Sequence, residues 1–237
     1  MKITSLDDIN SWVREWMDRE WIHKIIAISG WSSAEKIEWA NPEIVTKLNE
    51  SIAEYVNAVI EWTLKKLQDY RVAILTGGTK GGVPEDALKI AKKYWLQTIG
   101  VYPARGAKNA LSEEYIDCAI EVKSIFGESR WGDESPVFTK LADANIVLGG
   151  WAGTLIEVAH VLKINEWLID KWERPKYIIP VSGIPWMGSL IQLLPGKSHV
   201  KRATFPENEI KTGQQVADYL EKKLNLDDDH RDNDWKS

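Results

Sequence analysis

The sequence predicts an α/β fold of the Rossmann-like, doubly wound kind, a mainly parallel sheet with helices on both faces. Three observations carry the prediction. Short apolar runs alternate with amphipathic helical stretches along most of the chain, the order that builds parallel sheets. Several of those runs are almost unbroken by polar residues, as expected of strands buried on both faces. Two of them, Val72–Leu75 and Ala144–Leu148, end in paired glycines that lead directly into a helical pattern.

Taken in order, Ser5–Glu20 carries Leu6, Ile9, Val13, Trp16 and Met17 at helical spacing, with Ser5 as N-cap. Lys24–Ser29 is the first strand, and Ser29-Gly30-Trp31-Ser32-Ser33 is the loop at its carboxyl end. Asn41-Pro42-Glu43 opens a long helix with cap, proline and acid in the favoured order. Its expected buried stripe is Ile44, Leu48, Ile52, Tyr55, Val56, Val59, Thr63 and Leu67.

Val72–Leu75 is the second strand, and Gly77, Gly78, Gly81 and Gly82 follow it. Pro84 suits a first helical turn, with Glu85 and Asp86 near the positive dipole end and Ala87, Leu88, Ala91, Tyr94 and Trp95 continuing the helix. Thr98–Tyr102 and Ala119–Val122 are the next strands, Gly127–Ser135 is an aperiodic loop, and Phe138 to Ala142 is a short helix. Ala144–Leu148, the helical Leu155–Leu162, the strand Tyr177–Val181 with Ser182-Gly183-Ile184-Pro185-Trp186 after it, and the helix Gly213–Leu224 complete the pattern. Residues 1–226 read as one domain, and 227–237 as an acidic, disordered tail.

Composition narrows the function. A chain of 237 residues can bury a proper core, and a net charge of −5 argues against a nucleic-acid polymer as partner. Cys118 is the only cysteine, so disulfides and thiolate metal sites are excluded, and His23, His199 and His230 lack ligand spacing; no metal and no cofactor are expected. No signal-like or membrane-spanning apolar segment is evident, which points to a soluble, cytoplasmic protein with no membrane partner. Thirteen tryptophans are many, and most are assigned to core or interface packing, with Trp31 and Trp131 as candidates to stack on a base.

The two glycine turns carry the functional reading. Strand, glycine loop and helix in that order leave backbone N–H groups facing a ligand, and in a parallel sheet both turns lie at one edge. The first, Thr76-Gly77-Gly78-Thr79-Lys80-Gly81-Gly82, is neither a G-x-G-x-x-G fingerprint nor a P-loop; Lys80 could neutralise a phosphate or merely be exposed on a tight turn. The second is Gly149-Gly150-Trp151-Ala152-Gly153-Thr154. Thr154 and Glu157 have capping-box spacing, while Glu157 is also placed to accept bonds from a ribose or to stabilise positive charge on a sugar. The Ser29–Ser33 loop, through Gly30, Trp31 and Ser32, would close one side. His160 shares the Glu157 helix face, and Lys197, His199, Lys201 and Arg202 read as a solvated basic cluster.

Gly149-Gly150-Trp151-Ala152-Gly153-Thr154-Leu155-Ile156-Glu157 resembles the P-G-G-x-G-T-x-x-E motif of the "Lonely guy" cytokinin-activating phosphoribohydrolases, long misnamed lysine decarboxylases. Thr76-Gly77-Gly78-Thr79-Lys80-Gly81-Gly82-Val83 resembles the T-G-G-x-x-x-G-[VI] element of the ligand-sensing region (LSDAT) of melastatin-type TRP channels. Both belong to the SLOG superfamily of Rossmann-like nucleotide binders, and the resemblance covers roughly Ile25 to Pro195. It implies a nucleotide-derived ligand, Glu157 as the catalytic glutamate and a homodimer.

The chain departs from the hydrolase pattern at two points. Leu148 stands where the hydrolases have proline, and Glu134 stands where counting back from Ala142-Asp143-Ala144 puts their partner arginine, leaving Arg130 nearby as a substitute. A glutamate against an anion costs about 1 to 4 kcal/mol at contact distance, depending on the local dielectric. The expectation is therefore a nucleotide-binding sensor, with a nucleoside-monophosphate phosphoribohydrolase as the alternative and a partner-binding protein with a vestigial pocket as a third.

Overall fold

The computed structural model of the protein describes residues 6–32, 41–124, 127–184 and 196–227. The expected cap Ser5, Ser33, Pro185, Trp186 and the tail beyond Asp227 lie outside them.

Six strands form one wholly parallel sheet: β1 Lys24–Gly30, β2 Val72–Thr76, β3 Gln97–Pro103, β4 Cys118–Val122, β5 Ala144–Leu148 and β6 Tyr177–Pro180. Their spatial order is β4-β3-β2-β1-β5-β6. The chain winds outward from β1 to β4 on one side, returns to place β5 against the other side of β1, and ends at β6. The Rossmann-like doubly wound fold is the observed one.

Among the described residues the helices are α1 Leu6–Arg19, α2 Pro42–Leu67, α3 Gly82–Lys93, α4 Ser135–Leu141, α5 Ala152–Asp170, α6 Ser198–Thr204 and α7 Gly213–Leu224. A short 3₁₀ helix, Ala104–Asn109, follows β3. Side chains alternate along each strand, so β1 feeds two cores. Ile26 and Ile28 pack with α2, α3 and α7, whereas Ile25 and Ala27 pack with α1 and α4. Burying each of these isoleucines contributes about 1.5–3 kcal/mol. Ser29 shares the second face and is the one polar residue in this buried run.

Sequence and structure differ where a helix has an exposed end or an unusual start. Asn41 caps α2 by accepting from the Glu43 N–H at 2.9 Å, as the sequence predicts. The stripe is buried only over the carboxyl half of α2, at Val56, Val59, Thr63 and Leu67; Ile44 and Leu48 face solvent, because the sheet and α7 meet only that half. Trp95 falls past the end of α3, at a positive φ and 92% exposed. Of the helix and strand-end tryptophans, Trp16 is buried and Trp12 packs beside it, but Trp21, Trp62, Trp167 and Trp172 are exposed. The basic cluster of residues 197–202 lies largely in α6, which too few apolar positions announce in sequence.

Candidate functional site

The turn from one winding direction to the other falls between β1 and β5, where the carboxyl ends of neighbouring strands diverge and open a crevice. A cleft of about 340 Å³ lies there. It is lined by the end of β1 (Ile28, Ser29, Gly30) with Ser32, by Gly77, Thr79 and Pro84 after β2, by Ala152, Gly153, Thr154, Ile156 and Glu157 of α5, and by Trp131, Gly132, Glu134 and Phe138 around the start of α4.

Ser29 and Glu157 join across this junction. The Ser29 hydroxyl donates to Glu157 Oε2 at 2.6 Å, tying β1 to α5 over a sequence separation of 128 residues. Glu157 does not return a bond to a capping Thr154. The helix starts at Ala152 after Trp151, so Thr154 is the third helical residue and Glu157 lies one turn further on. Among the described residues no side-chain hydrogen bond caps the start of α5, and Ala152, Gly153 and Thr154 line the cleft at its positive end.

The carboxyl of Glu157 is pushed up to about 7. Burial is the main cause and the charge of Glu134 adds to it, while the Ser29 hydrogen bond opposes both. Glu134 is raised too, by burial first and then by Asp133, against hydrogen bonds from its own N–H and that of Gly132. The Gly132 N–H reaches Glu134 Oε2 at 2.8 Å.

The first glycine loop is largely committed to the protein itself. Gly78 N–H donates to Thr76 Oγ1 at 3.0 Å, Lys80 N–H to the Asn109 carbonyl at 2.8 Å, and Gly81 N–H to Glu85 Oε2 at 2.5 Å. Thr79 forms a single antiparallel bridge with Ala110. The ion pair with Lys89 and the Gly81 bond together hold Glu85 below the usual carboxylate range. Gly82, at φ +58°, has room for no Cβ, since one would stand 2.2 Å from the Trp31 carbonyl. The Trp31 ring in turn packs on Gly149, where an added Cβ would lie 2.4 Å from it. The two glycine turns do meet, with Trp31 wedged between them.

Of the residues singled out from sequence, Gly30, Ser32, Gly77, Thr79, Ala152, Gly153, Thr154 and Glu157 share the cleft. Thr76, Gly78, Gly81, Gly82, Gly149 and Gly150 shape the turns behind it, and Trp31 and Trp151 flank it without lining it. Lys80 and Arg130 are exposed and do not line it. The Arg130 N–H donates to Asp133 Oδ2 at 2.8 Å, which turns the loop back on itself. Sequence reasoning missed Gly132, Ile28, Pro84, Phe138 and Ile156 as lining residues and treated Glu134 only as a departure from a pattern. The signal for Ser29 was its place as the lone polar residue in an apolar strand.

Among the described residues no group of three or more His, Cys, Asp or Glu is arranged to hold a metal ion, and no helix is long and apolar enough to cross a membrane. Solved structures with similar folds include TM1055, 17% identical with a TM-score of 0.57 over 84% of this chain and 99% of that one. A molybdenum cofactor carrier protein from Chlamydomonas reinhardtii is 19% identical with a TM-score of 0.54, over 85% of this chain and 98% of its own. A molybdenum cofactor binding protein from Rippkaea orientalis is 23% identical with a TM-score of 0.55, covering 85% and 97% of the two chains. No curated protein matches the chain significantly. The model of the SLOG cluster4 family matches residues 25–170, more than half of the sequence, and its span contains both glycine turns, Ser29, Glu134 and Glu157: the chain belongs to that family.

Proposed function

We propose that the protein binds a phosphorylated, nucleotide-derived small molecule in the cleft between β1 and β5, as a binding or sensing module. The observation that carries this reading is the uncapped start of α5 opening into the cleft at the switch point. Its first amides and helix dipole favour an anion without any cationic side chain. Glu157 and Ser29, one turn deeper, suit a sugar hydroxyl. The first glycine loop contributes Gly77 and Thr79 to the wall, while its other amides stabilise the turn. The molybdenum cofactor proteins of similar fold support adding a phosphorylated pterin to the ligands worth testing.

A hydrolytic reading has one observation in its favour. A carboxyl that titrates near neutrality is suited to donate a proton to a leaving base. Against it, Arg130 does not line the cleft and Glu134 takes the place of a cation. We therefore favour binding without turnover, in the manner of the ligand-sensing branch of the superfamily, in a cytoplasmic homodimer. Calorimetry against AMP, GMP, ADP-ribose, NAD and cyclic dinucleotides tests the reading, with micromolar or tighter binding of at least one expected and no binding of any overturning it. Release of free base from nucleoside monophosphates, abolished by Glu157→Gln, would favour the hydrolase. Light scattering checks the dimer.

A further inference from the structure

The cleft is electrically one-sided. Glu134 and Glu157 are the ionisable side chains that line it among the described residues, and no Lys, Arg or His joins them. The apolar part of its wall is formed by Pro84, Trp131, Phe138 and Ile156 with Ile28. Trp131 rests its ring on Gly106, where an added Cβ would lie 3.0 Å away, and leaves about half of its surface open.

A carboxylate accepts hydrogen bonds and donates none once ionised. Whatever part of a ligand meets Glu134 must therefore present donors. A phosphate there would face like charge, and a bare apolar group would leave a partly buried charge with only the backbone N–H groups of Gly132 and Glu134 as partners. A flexible amine would satisfy the carboxylate but leave the flat apolar walls unfilled. A planar heterocycle with a ring N–H beside an exocyclic amino group meets both demands, because its face fills the apolar wall and its two donors match the acceptor positions that the Gly132 N–H leaves on the Glu134 carboxylate.

Resting on the reading of the cleft given above, we propose that Glu134 is a specificity-determining residue that selects a heterocycle with a cyclic amidine edge, as in guanine and pterins. Adenine, which offers a ring acceptor at the equivalent position, is rejected. Ring and edge lie at the Trp131–Glu134 end, the sugar or its equivalent at Ser29 and Glu157, and the phosphate at the start of α5.

Calorimetry on the full chain with GMP, IMP and AMP tests this without any substitution. GMP keeps both donors, IMP keeps only the ring N–H, and AMP reverses the ring position. The expected order is GMP, then IMP, then AMP, with GMP roughly tenfold or more tighter than AMP. Glu134→Gln, which sets an amide donor against the ligand's donors, should collapse the GMP-to-AMP ratio toward one while the protein still melts cooperatively. Equal affinities for GMP and AMP in the wild type would overturn this inference and leave the proposed binding function standing. A Glu134→Gln protein that keeps the full ratio would also overturn it. Binding of none of the three would overturn both.

Discussion

A carboxyl buried beside a second carboxyl keeps its proton to higher pH than one in water, and Glu157 is in that position. Its ordinary value of 4.5 rises to about 7 in the folded chain. Below about pH 4.5 the group is protonated in both folded and unfolded states and costs nothing. Between 4.5 and 7 the unfolded chain gives up the proton first, so stability falls as pH rises, and above 7 the full penalty is present. Discounted for the group's contact with the cleft, the penalty is about 1–3 kcal/mol. Glu157→Gln removes it while its side-chain carbonyl still accepts from Ser29. Thermal melts should show the variant more stable than wild type at pH 8 and equal to it near pH 4; the same difference at both values would contradict the assignment. A second residue-scale prediction concerns Cys118, whose thiol burial pushes up to about 12. It should resist thiol reagents until the protein unfolds, a burst of labelling in native buffer being the contrary result. Glu157 stood out in the sequence by its motif, but its bond to Ser29 did not, because only the sheet order brings residues 128 apart into contact.

Helix ends govern much of what the elements do. Three tryptophans, Trp21, Trp95 and Trp172, follow α1, α3 and α5 at φ values of 56°, 59° and 61°, the left-handed position that usually belongs to glycine. Trp95 and Trp172 are 92% and 97% exposed, so the strain is not offset by packing. Trp95→Gly and Trp172→Gly should each stabilise the protein by about 0.5–1 kcal/mol, read as a higher melting temperature; Trp21 stacks on Arg71 at 5.4 Å and should gain less. The reverse holds where glycine is already present. Gly82→Ala puts a methyl into the Trp31 carbonyl at a positive φ and should cost about 1–3 kcal/mol. Elements with strong end signals were legible almost to the residue, as with α2 after Asn41. For α7 the structure adds a capping box between Thr212 and Gln215 that fixes its start at Gly213. The start of α5 was not, because Ala152, Gly153 and Thr154 look like loop in sequence yet begin the helix. That shift of three residues is what moves Glu157 from a cap to the cleft floor.

At the scale of the whole molecule, the parallel order β4-β3-β2-β1-β5-β6 creates one place where strand ends diverge, and the residues with unusual chemistry gather there. Alternation of strands and helices was enough to predict this class of sheet, since each apolar run can be buried on both faces only between helix layers. What the sequence could not reveal is which glycine-loop amides are left for a ligand. That depends on the 3₁₀ segment after β3, whose Asn109 carbonyl takes the Lys80 amide, and on Trp31 filling the space between the two turns. Gly77 and Gly153 retain open space, where an added Cβ would meet nothing within 4 Å, and both line the cleft. Gly77→Leu thus starts a bulky side chain from open space on the cleft wall. The most direct measurement is calorimetric titration of the tightest-binding nucleotide into this variant beside the wild type, with melting curves of both. A loss of at least tenfold in affinity at an unchanged or slightly shifted melting temperature is expected; full wild-type affinity in a folded Gly77→Leu protein would place the ligand elsewhere and contradict the account.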